Sequence, residues 1–102
     1  MNLEISNTKY EIKALTSFKK QFKKVIKHGK DIDKFIEVLK VLANGETLEP
    51  KYRDHVLVNN NRYMNCRECH LEPDWLLIYK YNHDELILFM VEIGSHSELF
   101  NK

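Results

Sequence analysis

Residues 62–93, RYMNCRECHLEPDWLLIYKYNHDELILFMVEI, decide the fold. Arg62 to Leu71 reads as a strand, Glu72-Pro73-Asp74 as a turn, and Trp75 to Tyr81 as an apolar strand. His83-Asp84 turns the chain again into a strand from Glu85 to Ile93. Apolar stretches of strand length separated by such turn residues predict an antiparallel meander. Alternation places Cys66, Glu68 and His70 on one side of the first strand and Arg67 and Cys69 on the other.

Working back toward the N-terminus, the period changes from 2 to 3.6. His55 to Val58 is a short strand, and Asn59-Asn60-Asn61 a turn suited to left-handed backbone. Before Pro50, Ile32, Phe35, Ile36, Leu39 and Leu42 form one apolar stripe, capped by Asp31 or Asp33 and stopped by Asn44-Gly45. In an earlier helix Phe18, Phe22, Val25 and Ile26 fall at helical spacing, and Lys19, Lys20, Lys23, Lys24 and Lys27 occupy the remainder. Thr16 or Ser17 is its expected cap, and Gly29 its stop. Tyr10 to Ala14 alternates as a first strand, and Ser95 to Phe100 as a final helical turn. The expected order is β-α-α-β-β-β-β: an α+β domain with two N-terminal helices packed on one face of a small, twisted, mainly antiparallel sheet.

The 102 residues, with 43% hydrophobic and 30% charged, predict a single globular domain over 1–102. Neither a leader-like N-terminus nor a run of the ~20 apolar residues a membrane span requires is visible, so the expected location is cytoplasmic, with no membrane partner. Net charge is +1, but residues 1–30 hold eight lysines against two acids and the remainder is net acidic. A basic half of this kind suits a nucleic-acid surface, or is simply a solvated helix face.

Cys66-Arg67-Glu68-Cys69-His70 formally matches a c-type haem attachment string. Strand alternation separates its two thiols, and no second Cys/His pair stands at zinc-ligand spacing, so neither metal nor other cofactor is expected. The informative residues are ionisable groups at strand ends: His55, Glu68, His70, Asp74 and His96. Metal-free RNA cleavage needs a base for the ribose 2′-OH and an acid for the leaving 5′-oxygen, and imidazole suits both. A carboxylate such as Glu68 or Asp74 orients an imidazole or serves as the base itself. Which residue is base and which acid stays open.

Three strings carry a resemblance to a known family: Tyr52-Arg53-Asp54-His55, then Arg67 to Tyr79 (RECHLEPDWLLIY), then Gly94 to Phe100 (GSHSELF). Together, in this order, they resemble the YafQ-like branch of the RelE/ParE toxin superfamily. The resemblance implies the RelE-like fold and an endoribonuclease toxin that cleaves mRNA on the ribosome. It implies a cognate antitoxin as protein partner, with operator DNA bound only through the antitoxin complex. By position it makes His55, His70, Asp74 and His96 catalytic, with Glu68 in an acidic position of the set. Phe100 matches a terminal aromatic, read either as a base-stacking ring or as a plug that anchors the C-terminus. The chain departs from the family at Glu92, where members often carry Arg; a carboxylate there repels phosphate. Lys51, Arg53, Arg62 or the lysines of the first helix are the candidates to supply the missing cation. Glu92 also motivates a rival reading, a catalytically weak module that mainly binds its antitoxin. The gyrase-directed branch fits less well, because it is not expected to keep the histidine set.

Overall fold

The apolar stripes of the two helices meet each other through aromatic rings and share one core with the sheet. In a computed structural model describing residues 7–58 and 61–100, the order is β1 (Glu11–Ala14), α1 (Thr16–Lys27), α2 (Ile32–Ala43), β2 (His55–Val56), β3 (Arg67–Glu72), β4 (Trp75–Asn82), β5 (Ile87–Gly94) and α3 (His96–Leu99). Short 3-10 turns at Pro50–Tyr52 and Asn61–Tyr63 precede β2 and β3. The strands form one sheet in the order β1-β5-β4-β3-β2. β1 runs parallel to β5 and every other pair is antiparallel, so the sheet is mixed but mainly antiparallel.

Phe18, Phe22 and Val25 recur every three to four residues on α1 and are buried, as are Phe35, Val38, Leu39 and Leu42 on α2. Phe35 meets Phe22 at 5.1 Å and Phe18 at 5.8 Å between ring centroids, clamping the helical hairpin. Cys69, Leu71, Leu77, Tyr79, Leu88 and Met90 complete this core from the sheet. Asp31 caps α2 through the Asp33 amide, as its sequence suggests. Gly29 ends α1 with φ +74°, which lets the Lys30 amide reach the Val25 carbonyl.

Three expectations are corrected. The cap of α1 is Leu15, without a side-chain hydrogen bond; Ser17 Oγ instead donates to the Val91 carbonyl on β5. Ser17 is used there because β5 carries a bulge: Ile78 pairs with Glu92 and Tyr79 with Met90, leaving Val91 extra. Gln21 of α1 likewise accepts from the Ile93 amide. The strand expected from Arg62 begins only at Arg67, because Asn65 takes left-handed backbone (φ +61°) and residues 61–63 form a 3-10 turn. Tyr63 then turns inward to fill a second core with Cys66, Leu76, Ile78 and Leu99, on the sheet face opposite the helices. Finally, the strand expected over His55 to Val58 pairs only at His55 and Val56. Asn59 and Asn60 of the expected turn lie outside the described residues.

Candidate active site

The sheet register sets the site. His55 pairs with Glu68, Glu68 with Ile78, and Ile78 with Glu92, so these four form one row across the helix-free face. The next row holds His70, Leu76 and Gly94. Paired residues of antiparallel strands point to the same side, and neighbouring strands lie about 4.8 Å apart, so His55, Glu68 and His70 crowd together at the β2 side of this face. Glu68 is only 4% exposed, and one of its oxygens receives two imidazoles: His55 Nε2 at 3.3 Å and His70 Nε2 at 3.4 Å. The opposite nitrogen of His55 donates to the Arg53 carbonyl at 2.7 Å. Arg53 adopts left-handed backbone (φ +51°), unusual outside glycine, and that local twist turns its carbonyl toward the ring. His70 Nδ1 is buried without a partner.

His96 arrives from the other end of the row. Gly94 ends β5, and Ser95 caps α3 in a reciprocal box with Glu98, which fixes the first turn. A Cβ at Gly94 would stand 2.9 Å from Glu98 Oε1, so any larger residue there would shift the carboxylate that accepts from the Ser95 amide. Asp74, in the β3–β4 turn, accepts from both the His96 amide (2.9 Å) and His96 Nδ1 (2.7 Å). These two bonds, the backbone one first, hold the Asp74 carboxyl below the usual carboxylate range. Asp74 therefore stays charged wherever imidazole titrates, and it leaves His96 Nε2 pointing away. The ring centroids of His55 and His70 lie 6.3 Å apart, and those of His70 and His96 5.6 Å apart.

The five residues picked from sequence as catalytic thus come together as three neighbouring imidazoles, with Glu68 shared by His55 and His70 and Asp74 bound to His96. The other two histidines lie elsewhere: His28 caps the end of α1, and His83 meets Tyr10 Oη at 2.8 Å. Lys51, Arg53 and Lys34 line a cleft of about 470 Å³ that opens onto His70. Arg62 ion-pairs with Glu92 at 2.8 Å. Phe100 packs edge-on against Tyr63, at 5.5 Å between centroids, over the second core.

Cys66 and Cys69 are unbonded and buried on opposite faces, as alternation requires. Burial pushes both thiols up, so neither is a ready thiolate. Among the described residues no group of three or more His, Cys, Asp or Glu is arranged to hold a metal ion.

Sequence reasoning missed the network that seats His55. Asp54, one residue earlier, accepts a forked pair of bonds from Arg67 at 3.3 and 3.2 Å, and a third bond from the Tyr79 hydroxyl. Burial, then the Asp54 contact, pushes the Tyr79 phenol up, so the hydroxyl keeps its proton for this bond. Arg67 and Tyr79 are cross-strand partners, and their side-by-side placement was the available signal. Asp54→Ala would leave a charged, half-buried guanidinium without its partner. The expected loss is about 1.5–3 kcal/mol of stability, by chemical denaturation, together with weakened seating of His55.

Residues 10–101 match the family model of the bacterial toxin of type II toxin–antitoxin systems, YafQ. The chain is 37% identical over 84 residues to the mRNA interferase toxin YafQ of Escherichia coli (strain B / BL21-DE3), covering 81% of this chain and 87% of that one. A metal-bound toxin from Helicobacter pylori superposes with a TM-score of 0.83 at 42% identity, over 89% of this chain and 99% of that one. YafQ in the E. coli DinJ–YafQ toxin–antitoxin complex superposes with a TM-score of 0.80 at 31% identity, over 90% and 98% of the two chains. Fold, collinear motifs and family model agree, and the chain belongs to the YafQ family of toxins of bacterial type II toxin–antitoxin systems.

Proposed function

We propose that this chain is an endoribonuclease that cleaves mRNA on the ribosome without a metal ion and is neutralised by a cognate antitoxin. The observation that carries the reading is the succession of neighbouring rings His55, His70 and His96, with Glu68 shared by the first two and Asp74 bound to the third. His96, its Nδ1 proton held by Asp74, presents Nε2 as the base for the ribose 2′-OH. The 2′-oxygen attacks phosphorus and the bond to the 5′-oxygen breaks. A 2′,3′-cyclic phosphate and a 5′-OH result. His70, sharing Glu68 with His55, supplies the proton to the departing 5′-oxygen. His96 has a carboxylate of its own on Nδ1, whereas His70 shares the Glu68 oxygen with His55, so the two imidazoles are held differently and suited to different roles. Lys51 and Arg53 flank the cleft by which the strand reaches His70.

The relative named an mRNA interferase supports the substrate class, and the DinJ–YafQ complex supports a protein antitoxin as partner. Operator DNA enters only through that partner. No helix among the described residues is long and apolar enough to cross a membrane. Phosphate repulsion by Glu92 motivated the rival reading of a module that mainly binds its antitoxin. That motive weakens because the Glu92 charge is met by Arg62.

Controlled expression in bacteria, with and without His96→Ala, followed by mapping of mRNA 5′ ends, tests the proposal. Growth arrest with new cleavage sites in translated messages, both lost in the variant, is expected, and the purified chain treated with a chelator and then freed of it should cleave ribosome-bound message as before. Arrest that survives His96→Ala without new 5′ ends would transfer belief to the binding module.

A further inference from the structure

We propose that the lysine face of α1 is a docking surface for the phosphate backbone of double-stranded ribosomal RNA, which rests on the reading above that the chain cleaves message on the ribosome. Helix α1 (TSFKKQFKKVIK) carries five lysines and no acid. At about 100° per residue, Lys19, Lys20, Lys23, Lys24 and Lys27 fall in a sector of about 140° opposite Phe18, Phe22 and Val25. Those three are buried in the core shared with the sheet, whereas all five lysines are exposed. None of the five ammonium groups has an ion pair or hydrogen bond among the described residues. Lys30 and Lys34, just beyond the helix, differ: both are held by Glu72, at 3.5 and 3.2 Å. Like charges four residues apart on a helix repel, and Lys19–Lys23, Lys20–Lys24 and Lys23–Lys27 are such pairs. No acid on the helix offsets that repulsion. A polyanion does, and it gains further from the counterions it releases.

The kind of RNA follows from what the face lacks. Proteins that hold single strands offer aromatic rings on which the bases stack. Both aromatic residues of α1 are buried, and its one exposed large apolar side chain is Ile26. A duplex instead presents phosphates and ribose hydroxyls in a regular shape, which lysines meet without reading bases. From Lys19 to Lys27 the face runs about 12 Å along the helix axis. It borders the site without overlapping it. Lys24 and Lys30 line a cavity of about 320 Å³ together with Asp74, Gly94 and Ser95. His55, Glu68 and His70 lie on the sheet face that the helices leave uncovered. A message at the histidines and a ribosomal duplex on the lysines thus hold different sides of the chain.

The test measures binding of the purified full chain to vacant bacterial ribosomes and to an uncleavable single-stranded 2′-O-methyl oligonucleotide, over about 50–200 mM salt. K19Q/K20Q/K23Q/K27Q keeps helix propensity and should melt no lower than the wild type. It should bind vacant ribosomes about 10–100-fold more weakly and lose about 3–4 from the slope of log affinity against log salt. In cleavage of ribosome-bound message its KM should rise by the same factor, with kcat nearly unchanged. Arginine at the same four positions should bind as lysine does. K9Q/K13Q/K40Q, which removes exposed lysines elsewhere, should lose far less affinity. Unchanged affinity and salt slope in K19Q/K20Q/K23Q/K27Q would make the face merely solvated and overturn the proposal. An equal loss in K9Q/K13Q/K40Q would overturn it in favour of net charge, and an equal loss on the oligonucleotide would assign the lysines to the message instead. The docking and the ribonuclease readings fail separately. His96→Ala should bind vacant ribosomes as the wild type does; if it also cleaves as the wild type does, the histidine assignment fails and the docking surface stands on its binding data. A wild type that cleaves message without binding vacant ribosomes overturns the docking surface alone.

Discussion

His96→Ala is expected to slow cleavage of ribosome-bound message by about 10²–10⁴-fold, the range a positioned acid–base group contributes. The size follows from geometry. His96 has its Nδ1 hydrogen committed to Asp74 at 2.7 Å and its amide to the same oxygen at 2.9 Å, so its ring is aimed before substrate arrives. Asp74→Asn should cost less, on the order of 10-fold, because the Asp74 side chain is 69% exposed and its charge is screened by solvent. The pH profile separates the roles. A base must be unprotonated, so the rate rises with pH through its titration. An acid must be protonated, so the rate falls above its titration. His96→Ala should flatten the rising limb and His70→Ala the falling one. Loss of the opposite limbs would exchange the two roles, and full activity in both variants would remove these residues from the reaction. The double variant should lose little beyond the worse single one, because acid and base act as a unit.

Phe35→Ala should be the most damaging change in the core. Phe35 is fully buried between Phe18 and Phe22 and joins both helices. Truncating such a ring removes its burial and leaves a void, at a cost of about 3–5 kcal/mol. Small domains are stable by only about 5–15 kcal/mol, so the variant should melt on the order of 20 °C lower or fail to accumulate. Ile26→Ala, on the same hairpin but 54% exposed, should change stability by less than about 0.5 kcal/mol. Equal melting temperatures for Phe35→Ala and wild type would mean that the aromatic clamp does not hold the two helices together.

Much of this architecture was legible in the chain. Helix α2 shows its cap at Asp31, its stripe through Phe35, Leu39 and Leu42, and its stop at Gly45, and each is a local property of backbone and side chain. The alternation that separates Cys66 from Cys69 and joins Glu68 to His70 is equally local. Arg62 to Asn65 misled because a polar stretch preceding a strand looks like more strand. Tyr63 is recruited instead to a second core that also draws on Leu76, Ile78 and Leu99, and no local pattern announces that demand. Ser17 misled for the same reason. Its hydroxyl is as suitable for a helix cap as for the Val91 carbonyl, and the bulge of β5, 74 residues distant, decided between them.

By itself, then, the sequence determined the element order, the two amphipathic faces and the candidate residues His55, Glu68, His70, Asp74 and His96, because periodicity and turn chemistry act over a few residues. Only the tertiary structure decided that β1 lies parallel to β5, that three of five histidines become neighbours, and that Asp74 belongs to His96. It also decided that Glu92, an apparent repellent for phosphate, is buried against Arg62 and Tyr63. Those outcomes depend on strand register and one inserted residue. A one-residue slip moves a side chain to the opposite face of a sheet, and cross-strand pairing, rather than the local sequence, selects the register.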